Sequence, residues 1–304
     1  METLRIESLT KSFGNLTAVD RLTLSISEGE IFGLVGPDGA GKTTTMRLLA
    51  SIMEPTSGNA WVMGNHVMEH AEAVKEHIGY MSQRFGLYSD LTVMENINFY
   101  ADIYSVPVKE RKEKVERLLS FSNLSPFKKR LAGNLSGGMK QKLGLVCALI
   151  HTPKILFLDE PTNGVDPVSR RDFWRILYQL HREKVTIFVS TSYLDEAERC
   201  NRLGLMHHGK IFACGTPAEI KRLMTGTILE IYCLNPRQAL SLLREGLKTD
   251  SVNLFGDRLH LVTREPEGDK QKVKELFSGA DLELKAIQSK EPSLEDVFVS
   301  VLSQ

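Results

Sequence analysis

Hydrophobic and polar positions repeat with two different periods along most of the chain. Residues 4–9 and 22–26 alternate between apolar and polar side chains, which predicts strands with one buried face. Residues 155–158 and 186–189 are continuous apolar runs, typical of parallel strands buried on both faces, and a helical pattern at residues 170–180 lies between them. This alternation of strand and helix predicts an α/β fold with a largely parallel sheet.

The pattern changes near residue 225, so we expect two domains, residues 1–225 and residues 226–304. In the second domain the order of elements is βαββαβ with a closing helix, which is typical of a small ferredoxin-like α+β fold. The predicted strands are residues 227–233, 252–255, 259–262 and 282–287, and the predicted helices are residues 236–245, 270–277 and 293–302.

Charge and composition exclude several classes of protein. The 304 residues carry 38 basic and 38 acidic side chains, so there is no net attraction toward nucleic acid, and we expect no nucleic-acid partner. The longest apolar runs, such as residues 145–150, are too short to span a bilayer, and the first residues lack the apolar segment of a signal peptide. Four cysteines stand far apart without a CxxC pair, which indicates free thiols in a reducing compartment. We therefore expect a soluble, cytoplasmic protein.

A phosphate-binding motif follows the apolar run at residues 31–35. Residues 36–43 read Gly-Pro-Asp-Gly-Ala-Gly-Lys-Thr, which fits G-x-x-x-x-G-K-[ST], and a helical pattern comes next. We call residues 36–43 the phosphate loop, because its glycines let backbone N–H groups surround phosphate oxygens at a helix N-terminus. Lys42 is expected to pair with the β- and γ-phosphates, and the Thr43 hydroxyl to bind Mg²⁺. The predicted nucleotide-binding residues here are Gly36, Asp38, Gly39, Ala40, Gly41, Lys42, Thr43 and Thr44.

A phosphate loop of this kind requires a carboxylate on a neighbouring buried strand. The apolar run at residues 155–158 ends in Asp159 and Glu160. We expect Asp159 to hold Mg²⁺ through water, and Glu160 to orient or deprotonate the water that attacks the nucleotide.

A third motif indicates the family. Residues 135–139, Leu-Ser-Gly-Gly-Met, resemble the LSGGQ signature of ATP-binding-cassette (ABC) ATPases, and they precede a second helical pattern. Other family landmarks follow in order: Phe13 where the family stacks a ring on adenine, Gln83 in a Q-loop, and residues 163–166, ending in Asp166, as a D-loop.

The resemblance covers residues 4 to about 225 and implies a P-loop cassette with a RecA-like core, an antiparallel β subdomain and a helical subdomain. It adds Phe13, Ser136, Gly137 and Gly138 to the residues expected to bind ATP. It gives Gln83 and Asp166 catalytic roles, and makes Gln83 a metal ligand beside Thr43 and Asp159. In the family two cassettes pair head to tail, each ATP lying between one phosphate loop and the other signature, so we expect a second cassette, identical or different.

Within the family, two segments resemble the ATPase subunits of ABC-2-type exporters, the drug-efflux group. These are residues 88–96 and residues 291–298, which read Glu-Pro-Ser-Leu-Glu-Asp-Val-Phe and are called here the C-terminal motif. The resemblance implies a transmembrane permease subunit on a separate chain, contacted by residues 84–100, with this chain peripheral on the inner face of the cell membrane. An ATP-switched regulator or assembly factor remains an alternative. An importer is a third possibility, which the C-terminal motif argues against.

The sequence departs from the family at two positions. Ser192 stands where the family places a histidine that touches the γ-phosphate and the attacking water. Serine cannot carry a charge at neutral pH, which leads to the hypothesis that this chain's own site is slow and that a partner cassette retains the histidine, as opposed to a homodimer with two such sites. The alternative is neutral drift, with Ser192 reaching the phosphate through a water. Asp38 replaces the usual asparagine, and we expect its carboxylate to face away from the nucleotide or to cap local amides.

Overall fold

The computed structural model describes residues 2–83, 86–224, 226–247 and 251–302. It divides into two compact units, Met1–Thr216 and Pro217–Gln304. Within the described residues the first unit contains two sheets and the second contains one, and each unit has its own buried apolar core.

Two sheets form the first unit. Its strands are β1 (Glu2–Phe13), β2 (Leu16–Ser27), β3 (Ile31–Val35), β4 (Ser57–Val62), β5 (Asn65–His66), β6 (Ile78–Met81), β7 (Ile155–Asp159), β8 (Thr186–Thr191), β9 (Arg202–His207) and β10 (Lys210–Gly215). The smaller sheet is antiparallel with the order β2-β1-β4-β5, and the larger has the order β10-β9-β3-β8-β7-β6. In the larger sheet only the β9–β10 pair is antiparallel among the described strands. The predicted α/β class with a largely parallel sheet is therefore confirmed.

Strands β1 and β2 are each several residues longer than the sequence pattern predicts. Their pairing register shifts between Ile6 and Leu9, where Leu24 and Leu22 are the partners. Ser8 at this irregularity has a φ of 49°. A bulge of this kind breaks the two-residue alternation, so the pattern ends before the strand does.

Helices cover the larger sheet and build a separate helical layer. They are α1 (Lys42–Leu49), α2 (Ala71–His77), α3 (Val93–Ile103), α4 (Val108–Phe121), α5 (Gly137–Leu149), α6 (Pro167–Arg182) and α7 (Leu194–Ala197). One core lies between the two sheets and includes α1. A second core packs α5 and α6 on the other face of the larger sheet, and a third joins α3, α4 and α5. Among the described helices none has the length and apolar character needed to cross a membrane.

The second unit contains one antiparallel sheet. Its elements are α8 (Pro217–Lys221), β11 (Thr227–Cys233), α9 (Pro236–Leu247), β12 (Val252–Phe255), β13 (Arg258–Thr263), α10 (Pro266–Gly279), β14 (Leu284–Lys290) and α11 (Leu294–Leu302). The strand order is β12-β13-β11-β14, and α9 and α10 contribute apolar side chains to the core of this unit. After α8, the chain order is βαββαβ followed by a helix, as the sequence predicts.

The boundary between the units falls nine residues before the predicted one. Helix α8 belongs to the second unit because it contacts α11 at the far end of the chain. That contact joins residues some 75 positions apart in the sequence. A local sequence pattern cannot predict a contact over such a separation.

Candidate nucleotide site

The phosphate loop joins the end of β3 to the start of α1 by close backbone contacts. A Cβ atom at Gly36 would lie 2.2 Å from the carbonyl oxygen of Met206. Gly41, the N-cap of α1, has a φ of 110°, and its Cβ would lie 2.2 Å from the carbonyl oxygen of Ala18. Gly41 also supplies no side-chain cap, so the first N–H groups of α1 are left for an anionic ligand.

Lys42 is the buried cation of this loop, with a side chain that is 4% exposed. Its Nζ donates to the carbonyl oxygens of Gly36, at 2.7 Å, and Pro37, at 3.0 Å. The same Nζ lies 3.0 Å from Oε1 of Glu160, which follows β7. The structure thus brings the phosphate-loop lysine and the predicted catalytic carboxylate into direct contact.

Asp159 at the end of β7 lies beside Thr43 of the phosphate loop. Its Oδ1 accepts hydrogen bonds from the Thr43 hydroxyl at 3.1 Å and from the Ser190 hydroxyl at 2.7 Å. Its Oδ2 is buried and has no hydrogen-bond partner among the described residues. Burial raises the pKa of Asp159, and the hydrogen bonds from Ser190 and Thr43 only partly oppose this. An unpartnered carboxylate oxygen in such a position is well suited to a cation.

Glu160 is held by donors from three directions. Its Oε2 accepts from Nε2 of Gln83 and from Nδ2 of Asn163, both at 3.1 Å, opposite the Lys42 contact on Oε1. Its backbone has a φ of 47°, in the left-handed region that side chains other than glycine rarely adopt. The Glu160 N–H donates to the carbonyl and to the hydroxyl oxygen of Ser190, which holds this strained backbone in place.

Ser136 of the signature caps helix α5. Its Oγ accepts from the Met139 N–H at 3.4 Å, and Ser136 and Gly137 are both exposed. Gly138 is buried, and a Cβ there would lie 2.5 Å from the side chain of Ser169. The signature therefore presents a helix N-terminus at the surface, with the close packing of Gly138 behind it.

Other predicted site residues lie outside the contacts around Lys42, Asp159 and Glu160. Asp166 caps α6 by accepting from the N–H groups of Val168 and Ser169, and the hydrogen bonds from Ser169 lower its pKa. Phe13 is 47% exposed, with the Lys11 ammonium 5.2 Å from its ring centre.

Ala40 of the loop is buried, while Gly39 is exposed and Thr44 is half-buried. Asp38 is exposed, and the expectation that its carboxylate faces away from the nucleotide or caps local amides stays a prediction. Ser192 is exposed after the end of β8. Residues 84 and 85, at the start of the predicted permease-contact segment, lie outside the described residues.

Sequence reasoning missed Ser190 and gave Asn163 no role of its own. Ser190 connects the side chain of Asp159 to the backbone of Glu160, and Asn163 connects to the Glu160 carboxylate. The sequence does contain a sign of the role of Ser190, which directly follows the apolar run 186–189. A polar group in a buried strand requires a hydrogen-bond partner.

A phosphate loop between a parallel strand and a helix, beside two carboxylates at the end of β7, defines a P-loop nucleotide-binding protein. The sequence predicts these carboxylates on a strand next to that of the phosphate loop, but β8 lies between β3 and β7 in the sheet. Comparison with known proteins specifies the family. Residues 19–163 match the model of the ABC transporter family, and residues 215–302 match that of the ATP-binding protein DrrA1-3-like, C-terminal domain.

Similar proteins agree with these matches. The probable multidrug ABC transporter ATP-binding protein YbhF of Escherichia coli (strain K12) is 42% identical over 98% of this chain and 52% of its own length, so the chain spans about half of that relative. The Nod factor export ATP-binding protein I of Rhizobium sp. (strain N33) is 36% identical over 97% of this chain and 95% of its own. A solved structure of an ATP-binding subunit of an ABC transporter superposes with a TM-score of 0.66 at 28% identity, covering 73% of this chain and 92% of that one.

This chain belongs to the ABC transporter family. The family predicted from the sequence and its cassette fold are thereby confirmed.

Proposed function

We propose that this chain is the ATP-binding and ATP-hydrolysing subunit of an ABC-2-type exporter. The observation that carries the proposal is the buried network in which Lys42 and Thr43 of the phosphate loop contact Glu160 and Asp159. These four side chains come from two segments more than 100 positions apart, and together they supply a phosphate-binding cation, a hydroxyl and two carboxylates.

In the proposed reaction the phosphate loop and Lys42 bind the β- and γ-phosphates of ATP. Glu160 orients the attacking water and accepts its proton, while Gln83 and Asn163 hold the carboxylate by hydrogen bonds to Oε2. Phe13 is proposed to stack on the adenine, since nearly half of this residue is exposed.

The donor set near Asp159 fits Mg²⁺. Oδ2 of Asp159, which has no hydrogen-bond partner among the described residues, would hold the cation through water. The Thr43 hydroxyl and the side-chain oxygen of Gln83 are of the oxygen type that Mg²⁺ prefers, together with phosphate. Bound there, the cation would neutralise charge on the β- and γ-phosphates.

A second cassette is part of the proposal. Ser136, Gly137 and Gly138 form a helix N-terminus whose first two residues are exposed, and it would bind the ATP held by the partner's phosphate loop. Asp166, exposed at the N-terminus of α6, would face the partner in the same assembly.

Export is supported by the names of the relatives and by the match of residues 215–302 to the C-terminal domain of DrrA-like ATP-binding proteins. We propose that a permease on a separate chain receives the exposed side of residues 86–100, which includes Tyr88, 44% exposed. The chain would then be cytoplasmic and peripheral on the inner face of the membrane.

Ser192 would make this chain's own site slow. A serine hydroxyl in the histidine position cannot place a positive charge beside the γ-phosphate, and loss of one such donor lowers turnover by about 10²–10³-fold. A partner cassette that retains the histidine would use the intact signature of this chain.

The test is ATP hydrolysis by the purified full-length chain, measured for wild type, Glu160→Gln and Ser192→His. We expect wild type to lie little above the Glu160→Gln background, and Ser192→His to raise turnover by at least tenfold. Wild-type turnover far above background would contradict the slow-site hypothesis and favour a homodimer of active sites. If neither wild type nor Ser192→His exceeds the background, the proposed ATPase function is wrong.

A further inference from the structure

A fully buried carboxylate joins two segments that flank the proposed hydrolytic site. Glu196, on α7, has a side chain that is 0% exposed. Its Oε1 accepts from the Thr162 hydroxyl at 2.6 Å, and its Oε2 accepts from the Thr191 hydroxyl at 2.9 Å. Thr162 comes two residues after Glu160, and Thr191 directly precedes Ser192, so one side chain connects both segments.

Each threonine has a further contact that fixes its own segment. The Thr191 hydroxyl also accepts from the Tyr193 N–H at 3.0 Å, which closes a turn around Ser192. The carbonyl oxygen of Thr162 accepts from the Val165 N–H at 3.2 Å, in the segment that leads to Asp166.

Arg170, in the first turns of α6, compensates the buried charge. Its Nε lies 3.5 Å from Oε1 of Glu196, and the centre of its guanidinium lies 4.2 Å from the ring centre of Tyr193. A buried carboxylate is costly unless it is paired and hydrogen-bonded, and here two hydroxyls and a guanidinium meet that requirement. These contacts restrict the conformation of the Glu196 side chain. The segments that contain Thr162 and Thr191 are therefore held in a fixed position relative to each other.

We propose that Glu196 is a positioning residue for ATP hydrolysis, which fixes the Ser192 turn relative to the segment from Glu160 to Asp166. The proposal rests on the ATPase function proposed above. Glu196 acts through Thr162 and Thr191, whereas ATP binding depends on the phosphate loop. We therefore expect loss of either hydroxyl to lower kcat and to leave the affinity for ATP unchanged, since small displacements of catalytic groups reduce turnover steeply.

The experiment compares Thr162→Val and Thr191→Val, which keep side-chain shape and remove the hydroxyl. The matched control is Thr186→Val, because Thr186 lies on the same strand as Thr191 and is 1% exposed. Its hydroxyl accepts from the Gly29 N–H at the other end of β8, away from the site.

All variants are made in the full-length chain, both with the native Ser192 and with Ser192→His, so that a slow native site does not hide the effect. Single-turnover hydrolysis gives the rate, and titration with a fluorescent ATP analogue gives the affinity. We expect each site valine to lower the rate about tenfold, comparable with the loss of an outer partner at a metal site, with affinity within about twofold. Thr191→Ser, which restores the hydroxyl, is expected to recover most of the rate, and Thr186→Val to keep it.

Unchanged rates in both site valines, in a chain that hydrolyses ATP above the Glu160→Gln background, would overturn the positioning role alone. An equal loss of rate in Thr186→Val would overturn it as well, because general destabilisation would then explain the effect. Absence of hydrolysis in every chain, Ser192→His included, would instead overturn the proposed ATPase function.

Discussion

At the scale of single residues, the conformation of the phosphate loop requires glycines, which have no side chain, as well as Lys42. Gly41 combines a left-handed backbone with a carbonyl oxygen where its Cβ would lie, so only glycine fits there. Gly39 in the same loop also has a positive φ, 79°, but apart from its chain neighbours no described residue has a heavy atom within 4 Å of the Cβ position. A side chain at Gly39 would therefore cost only the free energy of the left-handed backbone. A side chain at Gly41 would cost that free energy and a steric overlap.

We expect Gly41→Ala to lower the free energy of unfolding by roughly 3 kcal/mol or more, from left-handed strain and overpacking together. Gly39→Ala, its control, is expected to cost only the strain, about 1–2 kcal/mol. Urea denaturation of both variants measures the difference. Equal losses of unfolding free energy in the two variants would show that the backbone at Ala18 moves away from the added methyl group without a free-energy cost.

At the scale of elements, helix α11 is attached to the sheet of the second unit by buried charged groups. Ser293 and Asp296 form a reciprocal cap, in which the Ser293 N–H donates to Oδ2 of Asp296 and the Asp296 N–H donates to Ser293 Oγ. Oδ1 of Asp296 lies 2.6 Å from Nδ1 of His260 on β13, and Nε2 of His260 lies 3.1 Å from Oε1 of Glu230 on β11.

The two carboxylates of this cluster have low pKa values. Burial by itself raises the pKa of Glu230, but hydrogen bonds from Tyr232, Arg258, His260 and Lys290 outweigh it and lower the pKa to about 2.

Burial and hydrogen bonds also have opposite effects on the pKa of Asp296. Burial raises its pKa, and the hydrogen bonds from His260 and Ser293 outweigh that effect, so the pKa is lowered. Because both carboxylates have folded-state pKa values below their unfolded values, their contribution to stability is complete above the unfolded values. It is lost as the pH falls toward about 2, the folded pKa of Glu230.

We expect Asp296→Asn to lower the free energy of unfolding of the second unit by about 2 kcal/mol at neutral pH, because a charge-assisted hydrogen bond is lost. Glu295→Gln changes the exposed neighbouring carboxylate and is expected to stay within about 0.5 kcal/mol of wild type. The difference between wild type and Asp296→Asn should shrink as the pH falls from about 5 toward 2. Denaturant titrations at several pH values test this, and a difference that does not vary with pH would contradict it.

At the scale of the whole molecule, two units with separate cores stand in one chain. Among the described residues the first unit has three apolar clusters, and the second has its own cluster around β11 and β13. The phosphate-loop contacts with Asp159 and Glu160 lie entirely within the first unit, and the His260 cluster lies entirely within the second. We therefore expect ATP binding to act on the first unit, and protonation of Glu230 and Asp296 to act on the second.

Calorimetry of the full-length chain is expected to give two unfolding transitions. ATP at 100 times its dissociation constant should stabilise the first unit by about 2.7 kcal/mol and leave the unfolding temperature of the second unit unchanged. Asp296→Asn should shift only the transition that ATP does not move. One transition that responds to both changes would show that the units unfold together.

The sequence by itself determined the nucleotide-binding class and most of the elements of secondary structure. The phosphate loop, the Asp159–Glu160 pair and the signature are contiguous segments, and their geometry follows from a strand end or a helix start a few residues away. In the second unit, β11 and β12 have the predicted bounds for the same reason: apolar runs and turns are local signals.

Only the tertiary structure decided which distant side chains meet. The Ser190 hydroxyl contacts Asp159 from 31 positions away, Glu196 contacts Thr162 from 34, and His260 contacts Asp296 from 36. No spacing rule relates such residues, because strand order in the sheet and the packing of helices on it determine their distance. The sequence therefore identifies the groups that we propose to bind the nucleotide, whereas the fold determines the groups that hold them in position.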